Sequence, residues 1–238
     1  MTVRLRLCWG IPVLIALLGE FNSGFAAEHS PALKKALTTY QKVMTASKDD
    51  LLKGFDAAAK SVGKRKTSAF EKTHLLAVLE AEKARFEKTG EPPWSEPMRA
   101  EFIKYLKATS QARTSLQRVV EADVNKFIKA GDNDAAKALS KAFEAMVAPQ
   151  AVGCWVCSAI GYPDVQVTMY SNGKFTDRDG KPNGEWAYDN GTLLMRWPSS
   201  FGGFANVKVQ VSDDGLTYRG GGDSPDSVLN TGRYVSLP

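Results

Sequence analysis

The hydrophobic period of this chain changes once, near residue 150, and that change limits the fold more than any other feature. Before it, apolar residues recur at spacings of three, four and seven. After it they alternate with polar ones and are punctuated by Asn-Gly and Asp-Gly pairs. A period near 3.6 buries one stripe of a helix, and a period of 2 buries one face of a sheet. The chain is therefore expected to be α+β. An antiparallel helical hairpin or bundle should occupy residues 27–149. A small antiparallel β-meander or barrel should occupy 150–238, with the join marked by Pro149 and Gly153.

In the first half, Ser30-Pro31 is a good N-cap followed by a good first helical residue. Leu33, Leu37, Tyr40, Met44, Leu51, Phe55, Ala58 and Val62 then form one stripe, closed by Gly63 and Lys64-Arg65-Lys66. A second helix is predicted from about Ser68 to Lys88, with Phe70, Leu75, Val78, Leu79 and Phe86 inward, stopped by Gly90 and Pro92-Pro93. A third begins near Ser95 and carries Phe102, Leu106, Leu116, Val120 and Phe127 to Gly131. A fourth, capped by Asp132 or Asn133, turns Leu139, Phe143 and Met146 inward. Each stripe is one-sided, so the helices must pack together.

The second half reads as about eight short strands. Asn172-Gly173 and Asn190-Gly191 are tight-hairpin signals, and Asp179-Gly180, Asn183-Gly184 and Asp213-Asp214-Gly215 are further turns.

Gly153-Cys154-Trp155 resembles the G-x-W that opens the first strand of lipocalin-like barrels, and Gly184-Glu185-Trp186 repeats the pattern. The helical stretches Ala81 to Arg99 and Phe127 to Leu139 are similar to segments of uncharacterised secreted bacterial proteins. The resemblance implies a small lipocalin-like module, shorter than a usual lipocalin barrel, in which Arg233, near the last strand, packs over Trp155.

Met1 to Ala26 has the layout of a secretory signal peptide: Arg4 and Arg6, an apolar run from Cys8 to Leu18, then Gly24 and Ala26 at the small-residue positions of a cleavage site. The run is short for a membrane anchor, so the mature chain is expected to be exported to the periplasm or beyond, without an integral span. With 43% hydrophobic and 24% charged residues the whole has the composition of a soluble polypeptide. Charge is unevenly shared. Residues 28–150 carry 22 Lys/Arg against 16 Asp/Glu, and residues 151–238 carry 7 against 9. Lys64-Arg65-Lys66 reads as a solvated connection, and with no recognition motif present, nucleic acid is not an expected partner.

Cys154-Trp155-Val156-Cys157 is the sharpest local motif. Haem attachment needs a histidine next, where Ser158 stands, and zinc needs more ligands than two cysteines and the distant His29 and His74 supply. A dithiol redox site needs the first cysteine at a helix N-terminus, and strand patterns flank it instead. A disulfide between Cys154 and Cys157 is expected from the oxidising compartment. It requires a bend at Trp155-Val156, because residues three apart in an extended strand lie about 10 Å apart and a disulfide needs less than about 7 Å.

No G-x-S-x-G, H-E-x-x-H or phosphate loop occurs, so no catalytic residue and no cofactor is assigned. His74 is expected half-buried on its helix. The aromatic residues of the second half read mainly as core. Phe201 and Phe204 differ, because they flank Gly202-Gly203 in a loop between strands and are the candidate ligand-binding residues. The function expected is an exported, non-enzymatic binding or interaction protein. Its partner would be a small apolar or saccharide ligand, or another protein, and the helices would brace the module or pair between chains. The alternatives are a thiol–disulfide oxidoreductase acting through Cys154 and Cys157, and a structural envelope protein that oligomerises through its helices.

Overall fold

In the computed structural model, residues 30–159, 163–198, 204–222 and 230–235 are described. The proposed signal peptide and Phe201 lie outside them. Four α-helices precede eight strands: α1 Pro31–Lys64, α2 Ala69–Thr89, α3 Arg99–Lys129 and α4 Asn133–Met146, with a 3₁₀ turn at Glu96–Met98 leading into α3. The caps are those the sequence supplies. Ser30 accepts a hydrogen bond from the Leu33 amide (3.1 Å), Ser68 from Glu71 (3.1 Å) and Asp132 from Ala135 (3.0 Å). Gly90 ends α2 in the left-handed conformation at φ 75°. No described helix is long and apolar enough to cross a membrane.

The helices make two apolar clusters. Leu51, Phe55, Ala58 and Val62 of α1 pack on Leu75, Leu79 and Phe86 of α2. Leu33 and Tyr40 at the other end of α1 pack on Leu116 and Val120 of α3 and Leu139 of α4. Phe70 departs from expectation: it is 83% exposed. It sits in the first turn of α2, off the stripe that Leu75, Leu79 and Phe86 direct at α1.

The strands are β1 Ala151–Ala159, β2 Val165–Tyr170, β3 Lys174–Asp177, β4 Pro182–Asp189, β5 Thr192–Pro198, β6 Phe204–Val211, β7 Thr217–Gly222 and β8 Asn230–Val235. Each pairs antiparallel with its neighbours in sequence, and β8 pairs back on β1, closing an up-and-down barrel. The fold is thus α+β, helices followed by a closed, lipocalin-like β-barrel. Two turn expectations are corrected. Only Gly173 of the Asn172-Gly173 pair has positive φ, whereas both Asn190 (44°) and Gly191 (83°) do. Asn183-Gly184 is not a turn. It lies inside β4, where the register with β3 shifts and the Phe175 ring occupies the space a Gly184 side chain would need.

Meander topology gives the barrel two unlike ends. Residues 171–173, 190–191 and 212–216 connect strands at the end facing the helices; 160–164, 178–181, 199–203 and 223–229 connect them at the opposite end. The first end is stoppered. Trp94, in the Gly90–Ser95 connection between α2 and α3, is 1% exposed and belongs to the barrel core with Phe102 of α3. Its ring meets Phe102 at 5.1 Å, Tyr188 at 5.3 Å and Trp155 at 5.4 Å, and its indole N–H donates to the Val152 carbonyl at 2.9 Å. Gly153 makes room for it, since a Cβ there would lie 2.9 Å from the indole nitrogen.

Candidate functional site

The stopper is held by a buried carboxylate. Glu82 of α2 is 2% exposed and accepts hydrogen bonds from the Trp94 amide (2.7 Å), the Ser95 amide (3.0 Å) and the Ser95 hydroxyl (2.6 Å). Burial raises its pKa above the ordinary 4.5, against the opposing pull of those donors and of Arg85. The barrel turns grip the same connection. The Glu96 amide donates to the Asp213 carbonyl at 2.7 Å, and Arg99 donates to the carbonyls of Val211 (2.7 Å) and Ser212 (3.1 Å). Gly215, at φ 71°, passes so close that a Cβ would fall 2.6 Å from the Ser95 nitrogen. His74 is exposed rather than half-buried, and its Nε2 lies 3.3 Å from an Asp214 carboxylate oxygen. That carboxylate is otherwise engaged in turn chemistry, accepting from the Ser212 hydroxyl (2.6 Å) and the Leu216 amide (3.0 Å).

Inside the barrel, Trp155 is fully buried, as the G-x-W resemblance implies, but Arg233 does not cover it. Arg233 pairs with Val156 and points outward, exposed. The residue after it, Tyr234, faces in and meets Trp155 edge-on at 5.4 Å, while Tyr218 packs on its other side at 5.3 Å. A basic group does cap this stack: the Arg85 guanidinium of α2 lies 5.1 Å from the centre of the Tyr234 ring. The substitution follows from strand alternation, which allows either residue 233 or residue 234 to face inward, but not both.

The expected Cys154–Cys157 disulfide is absent: both cysteines are free thiols. The bend it required does not occur. β1 keeps an unbroken register with β2 and with β8 from Cys154 to Cys157, and its one irregularity lies earlier, between Ala151 and Gly153. Residues three apart in such a strand face opposite ways. Cys157 joins Trp155 in the interior, whereas Cys154 lies on the other face with the Gln166 amide 3.2 Å from its sulfur. Burial pushes the Cys157 thiol up to about 11. Two sulfurs on opposite faces, one of them poorly ionised and neither at a helix start, lack what dithiol exchange needs. The Trp155 indole nitrogen and the Tyr234 hydroxyl are buried without a hydrogen-bond partner among the described residues, while the Tyr218 hydroxyl faces the Cys157 thiol.

Of the two candidate binding residues, Phe204 begins β6, opposite Pro198 of β5, at the barrel end away from the helices. Phe201 falls outside the described residues, in the connection joining those same two strands. The inner wall near that end includes Cys157, Val165, Trp197 and Val207, of which Val165 and Trp197 retain partial exposure. Among the described residues, no group of three or more His, Cys, Asp or Glu gathers as a metal set.

A concavity not anticipated from the sequence lies where the helices meet the barrel. It has a volume of about 310 Å³ and is formed by α1, α3, the chain after α4, the start of β1 and the β2–β3 turn. Tyr40, Tyr105 and Arg113 supply its largest polar groups. The sequence offers Tyr40 only as one member of an apolar stripe, and Arg113 as one of many surface cations.

No family model, curated protein or solved structure matches this chain.

Proposed function

We propose that this protein is an exported, non-enzymatic binding protein in which a helical base carries a one-ended β-barrel, and that ligand or partner is engaged at the end away from the helices. The observation that carries this reading is the asymmetry of the barrel. One end is filled by Trp94 and held by Glu82, Arg99 and the Asp213–Gly215 turn. The other bears the longer connections, 160–164, 199–203 and 223–229. Function sited on loops above a rigid scaffold is the usual economy of such folds. Phe201 and Phe204 would contribute apolar area there, and recognition would proceed by shape and burial, with no bond made or broken. The segment before Ala27 would direct export. The helices would brace the barrel, and exposed Phe70 and Leu76 on α2 and Ile128 on α3 give them apolar points for docking.

The test is a titration of purified protein with N-phenyl-1-naphthylamine, a neutral fluorophore that brightens in apolar sites. Saturable binding that weakens at least tenfold in the Phe201→Ser/Phe204→Ser double variant, at unchanged melting temperature, supports the reading. A sharp fall in melting temperature assigns the two rings to the core and removes them from the site. Absence of saturable binding by the parent protein refutes an apolar ligand at this end.

A further inference from the structure

We propose that the cleft between the helices and the barrel is a second binding site, specific for a small organic carboxylate with an apolar body, and that Arg113 pairs with the carboxylate. This inference does not depend on the barrel-end reading.

The charge of the cleft is the first reason. Of its described lining residues Arg113 alone is charged, and no carboxylate lines it. Arg113 is half-buried, and its guanidinium makes no ion pair or hydrogen bond with any described residue. Burial lowers its pKa, with Tyr40 opposing, yet an arginine remains cationic at neutral pH. An arginine drawn partly out of water without an acid usually acquires one. Two other arginines at intermediate depth have partners: Arg65 pairs with Glu96 at 2.5 Å, and Arg99 donates to two carbonyls and lies 3.6 Å from Asp213.

The second reason is the pair of tyrosines. Tyr40 lies near enough to both Arg113 and Tyr105 for their charges to interact, and burial pushes Tyr105 up to about 12. Both phenols are therefore neutral donors at physiological pH. Neither hydroxyl is hydrogen-bonded to a described residue, and both side chains line the cleft. A guanidinium fork with two phenolic donors matches a carboxylate's two oxygens. Met44, Met146, Val147 and Val152 supply apolar walls for the rest of the ligand. About 310 Å³ lies at the lower end of the range of small-molecule sites, the size of a compact ring or short chain.

Sodium benzoate is the probe, with benzyl alcohol as its neutral counterpart and inorganic phosphate as a bare anion, each titrated into purified protein and followed by amide NMR shifts. Benzoate should saturate at millimolar concentration or below, moving the amides of Thr109, Val147 and Val152, with benzyl alcohol at least tenfold weaker. Arg113→Gln should weaken benzoate by roughly ten- to a hundredfold, the range for one charge-assisted pair, with the melting curve unchanged, and Tyr40→Phe should weaken it several-fold. Should Arg113→Gln fail to fold, Arg113→Lys, which keeps the charge and loses the fork, must still weaken binding several-fold. The proposal is overturned if benzoate does not saturate, if the Arg113 variants bind it as the parent does, or if phosphate at equal concentration displaces it.

Discussion

Replacing Trp94 by Ala tests whether the helices and the barrel form one cooperative body. The indole is 1% exposed and touches four aromatic rings, those of Phe102, Trp155, Trp186 and Tyr188, at centroid distances of 5.1–5.9 Å. Truncating a buried Trp to Ala costs about 3–5 kcal/mol, because a cavity remains where packed atoms stood. The Val152 carbonyl also loses the indole donor that reaches it at 2.9 Å, which adds roughly 1 kcal/mol. The expected loss, about 4–6 kcal/mol, is a large share of the stability of an ordinary domain. For a chain of this size it lowers Tm by on the order of 10–20 °C. Far-UV circular dichroism at 222 nm follows the helices, and near-UV dichroism follows the aromatic stack of the barrel. In the parent the two signals should melt together. In Trp94→Ala they should melt earlier and separate, because the ring that bridges Phe102 of α3 to Trp155 and Trp186 of the barrel is gone. A loss below about 1 kcal/mol with coincident melting would refute the reasoning: the ring would then be a lid resting on the barrel, and the coupling of the two halves would lie elsewhere.

Glu82 allows a test by pH. Its folded pKa is raised by burial, so the stability tied to its neutral form is fully present below the unfolded value and is lost as pH rises through the folded one. Urea unfolding of Glu82→Gln should therefore show a shallower decline in stability above about pH 4.5 than the parent, whereas Glu82→Ala, which strands the Trp94 and Ser95 donors, should be destabilised by about 2–4 kcal/mol at every pH. Gly215→Ala places a methyl at φ 71° within 2.6 Å of the Ser95 nitrogen, and denaturant midpoints should register a loss of at least about 2 kcal/mol. Cys154 and Cys157 should both label with iodoacetamide after unfolding without reductant, while native Cys157, with its thiol held at about 11, should stay unlabelled at pH 8; a mass lower by two hydrogens in the unreduced chain would contradict the free thiols.

The helical half was legible because its information is local. Ser30, Ser68 and Asp132 are capping residues wherever they stand, and the stripe from Leu33 to Val62 is fixed by 3.6 residues per turn. The eight strands were legible for the same reason, through alternation and the Gly-bearing turns at 173, 180, 191 and 215. Closure was suggested by the G-x-W resemblance and realised by the pairing of β8 with β1. The same alternation fixed that Cys154 and Cys157 face apart once β1 stays straight. Whether it stays straight is not local: it is set by ladders to β2 and to β8, the latter about 75 residues further along the chain.

What the sequence determined by itself was the kind and order of the elements, because period, caps and turns act over a few residues. What only the tertiary structure decided was which side chains met across long separations. Trp94 reads in sequence as the residue after a double proline, and its size in a connector was the one signal that it needed cover. Its partners come from α3, β1 and β4. Arg113 reads as one more surface cation until packing brings Tyr40 and the barrel edge against it. Tyr234 takes the place over Trp155 expected of Arg233, through a choice of strand face that depends on registry with β1. In each case the deciding term is burial against groups remote in the chain, which no window of sequence contains.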